Sequence, residues 1–195
     1  MNPKLIFPSF LSVFLLCCFS FAGIAQEIND IKGKYVIVLN MQDHFTQKVL
    51  DANTSAQVIE NVNAVIDMAE SEKIIYIQSI LSTLTISLKG KQVDTLPNLE
   101  FDERLKIVNQ NIFKKSKPNA FASKELVDFL EKKGAKDIVV IGLMAGHCVY
   151  HTCFEGKKLG FNMFIVPDAV AGKTDANKDK VLKKLIKKGI KTITL

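Results

Sequence analysis

Apolar positions recur along this chain in two periods. Continuous apolar runs at Lys34 to Leu39, Ile74 to Ile80 and Asp137 to Leu143 read as strands buried on both faces. Further strands are expected over 105–113, interrupted by Asn109 and Asn111, over 162–166 before Pro167, and over 190–195. Between them the spacing turns helical. Val58, Val62, Val65, Ile66 and Ala69 mark a helix over 56–70, and Leu126, Phe129 and Leu130 mark one that Ser123 caps and Gly134 ends. Residues 148–159 and 178–188 complete the set, the last stopped by Gly189. Residues 85–94 alternate around Lys89-Gly90-Lys91 and predict a small surface hairpin. Strands alternating with helices predict an α/β fold with a parallel sheet covered on both faces. In such sheets ligands sit beyond the carboxyl ends of the strands. Asn40 after the first strand, Lys115 after the third and Cys148 after the fourth therefore share the edge where chemistry is expected.

The first twenty-five residues fall outside this pattern. Lys4 precedes an apolar run from Leu5 to Phe21, and Gly23-Ile24-Ala25 offers small residues at the cleavage positions, so 1–25 reads as a secretory signal peptide and 26–195 as one exported domain, periplasmic or secreted. A transmembrane anchor fits less well, because the run is short of about 20 spanning residues. A lipoprotein signal at Cys17 or Cys18 lacks the small residue before the cysteine. No stable membrane insertion is expected after cleavage.

The formal net charge of +6 becomes +5 when Lys4 leaves. Lys178, Lys180, Lys183, Lys184, Lys187 and Lys188 supply much of it, but they alternate with Val181, Leu182, Leu185 and Ile186 at helical spacing and form a solvated helix face. No aromatic residues are interleaved as a single-strand binder needs, so no nucleic acid partner is expected.

Only Cys148 and Cys153 remain in the mature chain. On one helix they would stand about 7.5 Å apart along the axis and point to different sides, too far for a disulfide. Cys148 follows a buried strand and a turn bracketed by Gly142 and Gly146, where a helix is expected to begin. Unpaired amide groups and the positive end of the helix favour thiolate there, and cysteines so placed have pKa values lowered from about 8.5 to roughly 3.5–7.5. Strand, glycine turn and cysteine together read as a nucleophile mount. The competing reading is a cysteine that only packs. His147 and His151, four apart, suggest a metal site only if His44 or Asp43 completes it. Neither a metal nor any other cofactor is expected.

Four segments resemble the isochorismatase-like cysteine hydrolases, a family that includes nicotinamidases, carbamoylsarcosine amidases and biuret-type hydrolases. VLNMQDHF (38–45) is similar to its first-strand motif, KSKPNAF (115–121) to its lysine motif, GLMAGHCV (142–149) to its nucleophile turn, and PDAVAG (167–172) to the Asp-Ala pair after its fifth strand. The resemblance implies a three-layer α/β/α sandwich with a six-stranded parallel sheet in the order 3-2-1-4-5-6. It implies Cys148 as nucleophile, supported by Lys115, in a triad whose third member is an aspartate. It also implies a cis peptide between Met144 and Ala145, an oxyanion hole from the N–H groups of Ala145 and Cys148, and a pocket lined by Gln42, Phe45, Phe121, Met144 and His147. Homo-oligomers that complete the pocket are a further implication.

The chain departs from the family at the base, where Asn40 stands in place of the aspartate. An amide accepts no thiol proton, and loss of a general base typically lowers rates on the order of 10²–10⁴-fold. Three readings stay open: Asp43 as a displaced base, a slow or altered hydrolase of a C–N bond in a small amide or carbamoyl compound, or an inactive member that binds a small ligand or does thiol-redox chemistry. Ala145-Gly146 replaces the polar pair usual before the cysteine, and the metal ligands of nicotinamidases are not evident after the first strand.

Overall fold

The structure, a computed structural model, describes residues 30–87, 90–95 and 100–195. The segment 1–25, expected to be a signal peptide, lies outside the described residues. In chain order the elements are β1 (Tyr35–Leu39), α1 (Asp43–Lys48), α2 (Ala52–Met68), β2 (Ile74–Ser79), β3 (Ser82–Ser87), β4 (Gly90–Thr95), β5 (Ile112–Lys115), α3 (Lys124–Lys132), β6 (Asp137–Leu143), α4 (Tyr150–Lys158), β7 (Asn162–Ala171), α5 (Asp175–Lys187) and β8 (Lys191–Thr192).

Six parallel strands form one sheet in the order β5-β2-β1-β6-β7-β8, which is the predicted 3-2-1-4-5-6. Because side chains alternate across a strand, Tyr35, Ile37 and Leu39 face one layer while Val36 and Val38 face the other. The first layer holds Leu126 and Leu130 of α3, Cys153 of α4, and Val181, Leu182 and Leu185 of α5. The second holds Val58, Ile59, Val62, Val65 and Ile66 of α2. Burial on both faces explains why β1 and β6 read as unbroken apolar runs. The hairpin expected over 85–94 is the antiparallel β3–β4 pair.

Several expected boundaries move. Helix α2 starts earlier than 56, at Ala52, because the Asp51 side chain caps it by accepting from the Thr54 N–H at 3.0 Å. The third central strand is Ile112–Lys115 and not 105–113. Residues ahead of it are held by side chains instead of a ladder: the Tyr76 hydroxyl donates to the Lys106 carbonyl at 2.9 Å, and Asn109 Nδ2 donates to the Ile74 carbonyl at 2.9 Å. Strand β7 runs on past Pro167 to Ala171, and the last strand keeps only Lys191–Thr192 of the expected 190–195.

A buried carboxylate ties α1 and α2 to the segment after the hairpin. Asp102 accepts from Arg104 through Nε at 2.8 Å and Nη2 at 2.7 Å and from the Thr46 hydroxyl at 2.6 Å, while Arg104 Nη2 also donates to Ser55 at 2.9 Å. The Arg104 guanidinium, and after it the Thr46 hydroxyl, hold the Asp102 carboxyl well below the usual carboxylate range. A carboxyl with a depressed folded-state pKa stabilises the fold above its unfolded value of about 3.9 and loses that contribution as pH falls below it. Asp102→Asn should therefore melt below the parent protein near neutral pH, with the gap closing as the solution is taken below about pH 4; thermal melts across that range measure it.

Candidate active site

The ends of four strands bring the site together at the carboxyl edge of the sheet. Asn40 is the first residue beyond β1, Ser79 ends β2 and Lys115 ends β5. Asn40 adopts φ 54°, a left-handed conformation that asparagine tolerates better than most residues, and this turns the chain off the strand. Opposite it, β6 ends at Leu143 and leads into a π-helical turn over Ala145–Val149 that carries Cys148. The helix proper begins only at Tyr150, so Cys148 lies in the turn before the helix and not at its first residue. The cis peptide is Leu143–Met144, one bond earlier than the resemblance implied, at the point where the chain leaves β6. The N–H groups of His147 and Val149 converge on the Met144 carbonyl at 3.0 and 3.3 Å.

Lys115, only 4% exposed, donates from Nζ to Cys148 Sγ at 3.2 Å, to Ser79 Oγ at 2.8 Å and to the Lys117 carbonyl at 3.2 Å. Burial pushes the Lys115 ammonium below its ordinary pKa, and the adjacent Cys148 opposes that shift. Ser79 Oγ donates in turn to Asn40 Oδ1 at 2.8 Å, and Asn40 Nδ2 donates to the Leu143 carbonyl at 3.1 Å. Gln42 fixes the Ser79 main chain from both sides, donating to its carbonyl at 3.2 Å and accepting its N–H at 2.8 Å. Asn40 thus reaches Lys115 through Ser79. Asp43, the candidate displaced base, has its carboxylate on the His44 N–H at 2.6 Å.

Beside the turn lies a cavity of about 410 Å³ walled by Phe45, Val49, Met144, Gly146, His147, Lys173 and Asn177. Phe45, Met144 and His147 of the expected pocket are among these walls. Gln42 and Phe121 are not: Gln42 is wholly buried against Ser79, and Phe121 packs in the core, stacked on Phe161 with ring centroids 5.4 Å apart. Burial, then electrostatic repulsion from His151 and Lys115, pushes the His147 imidazole below its ordinary value. Among the described residues no three His, Cys, Asp or Glu side chains converge as metal ligands.

Sequence reasoning missed Ser79, Lys173 and Asn177. Ser79 carried a signal, since it is a polar residue closing an apolar strand at the same edge as Asn40. Lys173 and Asn177 carried none, because a lysine and an asparagine around a helix start are ordinary surface residues.

Cys148 and Cys153 are both free and buried, but their surroundings differ. Burial alone pushes the Cys153 thiol up to about 12, whereas Cys148 faces an ammonium. Iodoacetamide is expected to alkylate Cys148 in the folded protein at neutral pH and to leave Cys153 unmodified until the chain is denatured, as peptide mass spectrometry would record.

A family model described as the Isochorismatase domain matches residues 34–195. Among curated proteins, the secreted isochorismatase effector Isc1 of Verticillium dahliae is 22% identical over 151 residues, covering 77% of this chain and 79% of that protein. Among solved structures, pyrazinamidase of Pyrococcus horikoshii in complex with zinc superposes with a TM-score of 0.68 at 22% identity, covering 83% of this chain and 99% of that one. Nicotinamidase PncA from Bacillus subtilis gives 0.62 at 16% identity, covering 82% and 98%. Both solved structures share the fold of this chain.

Proposed function

The chain belongs to the isochorismatase family, and from that premise we propose that it hydrolyses a C–N bond in a small amide or carbamoyl compound with Cys148 as the nucleophile. The observation that carries this reading is the buried contact between Lys115 Nζ and Cys148 Sγ at 3.2 Å, at the sheet edge where this class of fold binds ligands. The ammonium offsets the charge of a thiolate, and the thiolate is the reactive form of cysteine. Sulfur attacks the carbonyl carbon, and the N–H groups of Ala145 and Cys148 receive the developing oxyanion. The cavity walled by Phe45, Met144 and His147 holds the substrate, and its size suits a small molecule. Names carried by relatives, a pyrazinamidase and a nicotinamidase, support an amide as the substrate class. A relative named as secreted, together with the leader-like segment 1–25, supports export of a mature domain over 26–195.

The test is ammonia release by the mature protein from a panel of primary amides and carbamoyl compounds, nicotinamide and pyrazinamide included, against Cys148→Ala as background. Release above that background supports the hydrolase reading, and none across the panel sinks it. Asn40 favours a second reading, a small-ligand-binding or thiol-redox protein on the same fold, since its amide takes no proton. That reading predicts no ammonia release but retained alkylation of Cys148.

A further inference from the structure

The hydrogen bonds around Lys115 run in one direction, and the direction is fixed at the far end. The Leu143 carbonyl can only accept, so the group facing it, Asn40 Nδ2 at 3.1 Å, is the amide donor. That leaves Asn40 Oδ1 to accept from the Ser79 hydroxyl at 2.8 Å. With its proton so committed, Ser79 Oγ faces Lys115 as an acceptor at 2.8 Å. Among the described residues the ammonium meets three acceptors, Ser79 Oγ, the Lys117 carbonyl and Cys148 Sγ, and of these only the sulfur can carry charge. Among the described residues no carboxylate hydrogen-bonds Lys115. The described titratable groups that face it are Cys148 and, through its charge, His147.

We propose that Lys115 is the proton acceptor and donor of a two-residue lysine–cysteine centre, and that Asn40 and Ser79 are positioning residues that fix which way its hydrogen bonds run. This deepens, and rests on, the hydrolase reading above. With a carboxylate at position 40 the lysine would be the counter-ion of two anions. With Asn40 the thiolate is its sole anionic partner in the network, so the proton can move between sulfur and nitrogen without leaving an unpaired buried charge. The neutral amine takes the thiol proton, giving ammonium and thiolate. Sulfur then forms a bond to the carbonyl carbon, whose π electrons move onto oxygen. On collapse the C–N bond breaks, and the departing nitrogen receives the Lys115 proton. The amine so regenerated takes a proton from the water that attacks the thioester. The C–S bond breaks, and thiolate and ammonium are restored.

An aspartate at position 40 is therefore no repair of this site. One of its oxygens would face the Leu143 carbonyl where Nδ2 now donates, and its charge would hold Lys115 protonated throughout.

The experiment reads the lysine directly and needs no substrate. With ¹⁵N-lysine-labelled mature protein, the Lys115 Nζ resonance is assigned with Lys115→Arg and recorded at pH 7.5 before and after Cys148 is capped as the neutral methyl disulfide with methyl methanethiosulfonate. The expected result is an ammonium carrying three protons in the free protein and an amine carrying two in the capped one. An ammonium in both states, or an amine already present in the free protein, overturns the proposal. Cys148→Ser removes the same anion without a cap and should give the amine as well; an ammonium there also overturns it. In Asn40→Asp the cap should release no proton, and release there overturns the role given to Asn40. None of these outcomes depends on ammonia release, so failure of the proton assignment is distinguishable from failure of the hydrolase reading.

Discussion

Cys148→Ala should lower kcat/KM for whichever amide the screen identifies by about 10⁴-fold or more, since groups that act as the nucleophile of a catalytic unit show losses of that order when removed. The substitution takes away the sulfur that Lys115 contacts, and no other nucleophile among the described residues contacts that ammonium with a group able to replace it. Ser79 is the nearest hydroxyl, but its proton is committed to Asn40 and its main chain is pinned by Gln42. The fold should persist. Cys148 sits at the rim of the core, 9% exposed, where truncation of a small side chain costs about 1 kcal/mol. Initial rates paired with a circular-dichroism melt separate the two effects. A Cys148→Ala protein with full activity and an unchanged melt would remove Cys148 from the reaction altogether. Cys148→Ser should fall nearly as far, because a hydroxyl is a far weaker acid than a thiol and the lysine cannot hold its anion.

How far the sequence foretold this site depends on where the signals lie. Strands buried on both faces announce themselves as unbroken apolar runs, so β1, β2 and β6 and their polar ends are readable and put Asn40 and Cys148 at one edge, and the strand expected over 105–113 adds Lys115 to them. The third strand is readable as a strand but not in its bounds. Its upstream segment 105–111 borrows apolar residues such as Leu105 and Ile107 from a strand pattern, yet the Tyr76 hydroxyl bonds its backbone at Lys106 and Val108, and the side chains of Asn109 and Asn111 donate to the Ile74 carbonyl. A run of asparagines that bonds to the end of a neighbouring strand looks, in one dimension, like an interrupted strand. Ser79 was missed for a different reason. Its contacts lie 39 residues away at Asn40 and 36 at Lys115, and a serine at a strand end names neither. The replacement of aspartate by Asn40 was visible, but its meaning was not. Only the direction of the hydrogen bonds, set by the Leu143 carbonyl, turns a missing base into a fixed donor. The family resemblance implies Gln42 and Phe121 in the pocket. The structure places one under Ser79 and the other in the core, since neighbours in a motif need not point to the same side.

The edge that aligns these groups depends on one glycine, and its replacement is expected to have the largest effect on stability. Gly142 stands opposite Leu39 in the β1–β6 pair, with φ +100°, and a Cβ built on it would overlap the Leu39 carbonyl oxygen and lie 2.9 Å from the Leu39 nitrogen. Both are backbone atoms of a central strand, so neither can swing aside. Gly142→Ala should destabilise the protein by about 3 kcal/mol or more, adding a steric cost to the roughly 1–3 kcal/mol of holding a side chain at such a φ. Gly160 supplies the control: its φ is +93°, and nothing lies within 4 Å of the added carbon. Gly160→Ala should lose only the conformational part. The difference between the two urea midpoints, at equal m-values, measures the clash itself. If the two substitutions cost the same, the close approach of β1 to β6 is not what Gly142 provides. If Gly142→Ala costs more, as expected, the alkylation rate of Cys148 in the folded fraction should fall with it. Any relief of the clash must push Leu39 away from β6, carry Asn40 off the Leu143 carbonyl and disturb the chain that orients Lys115.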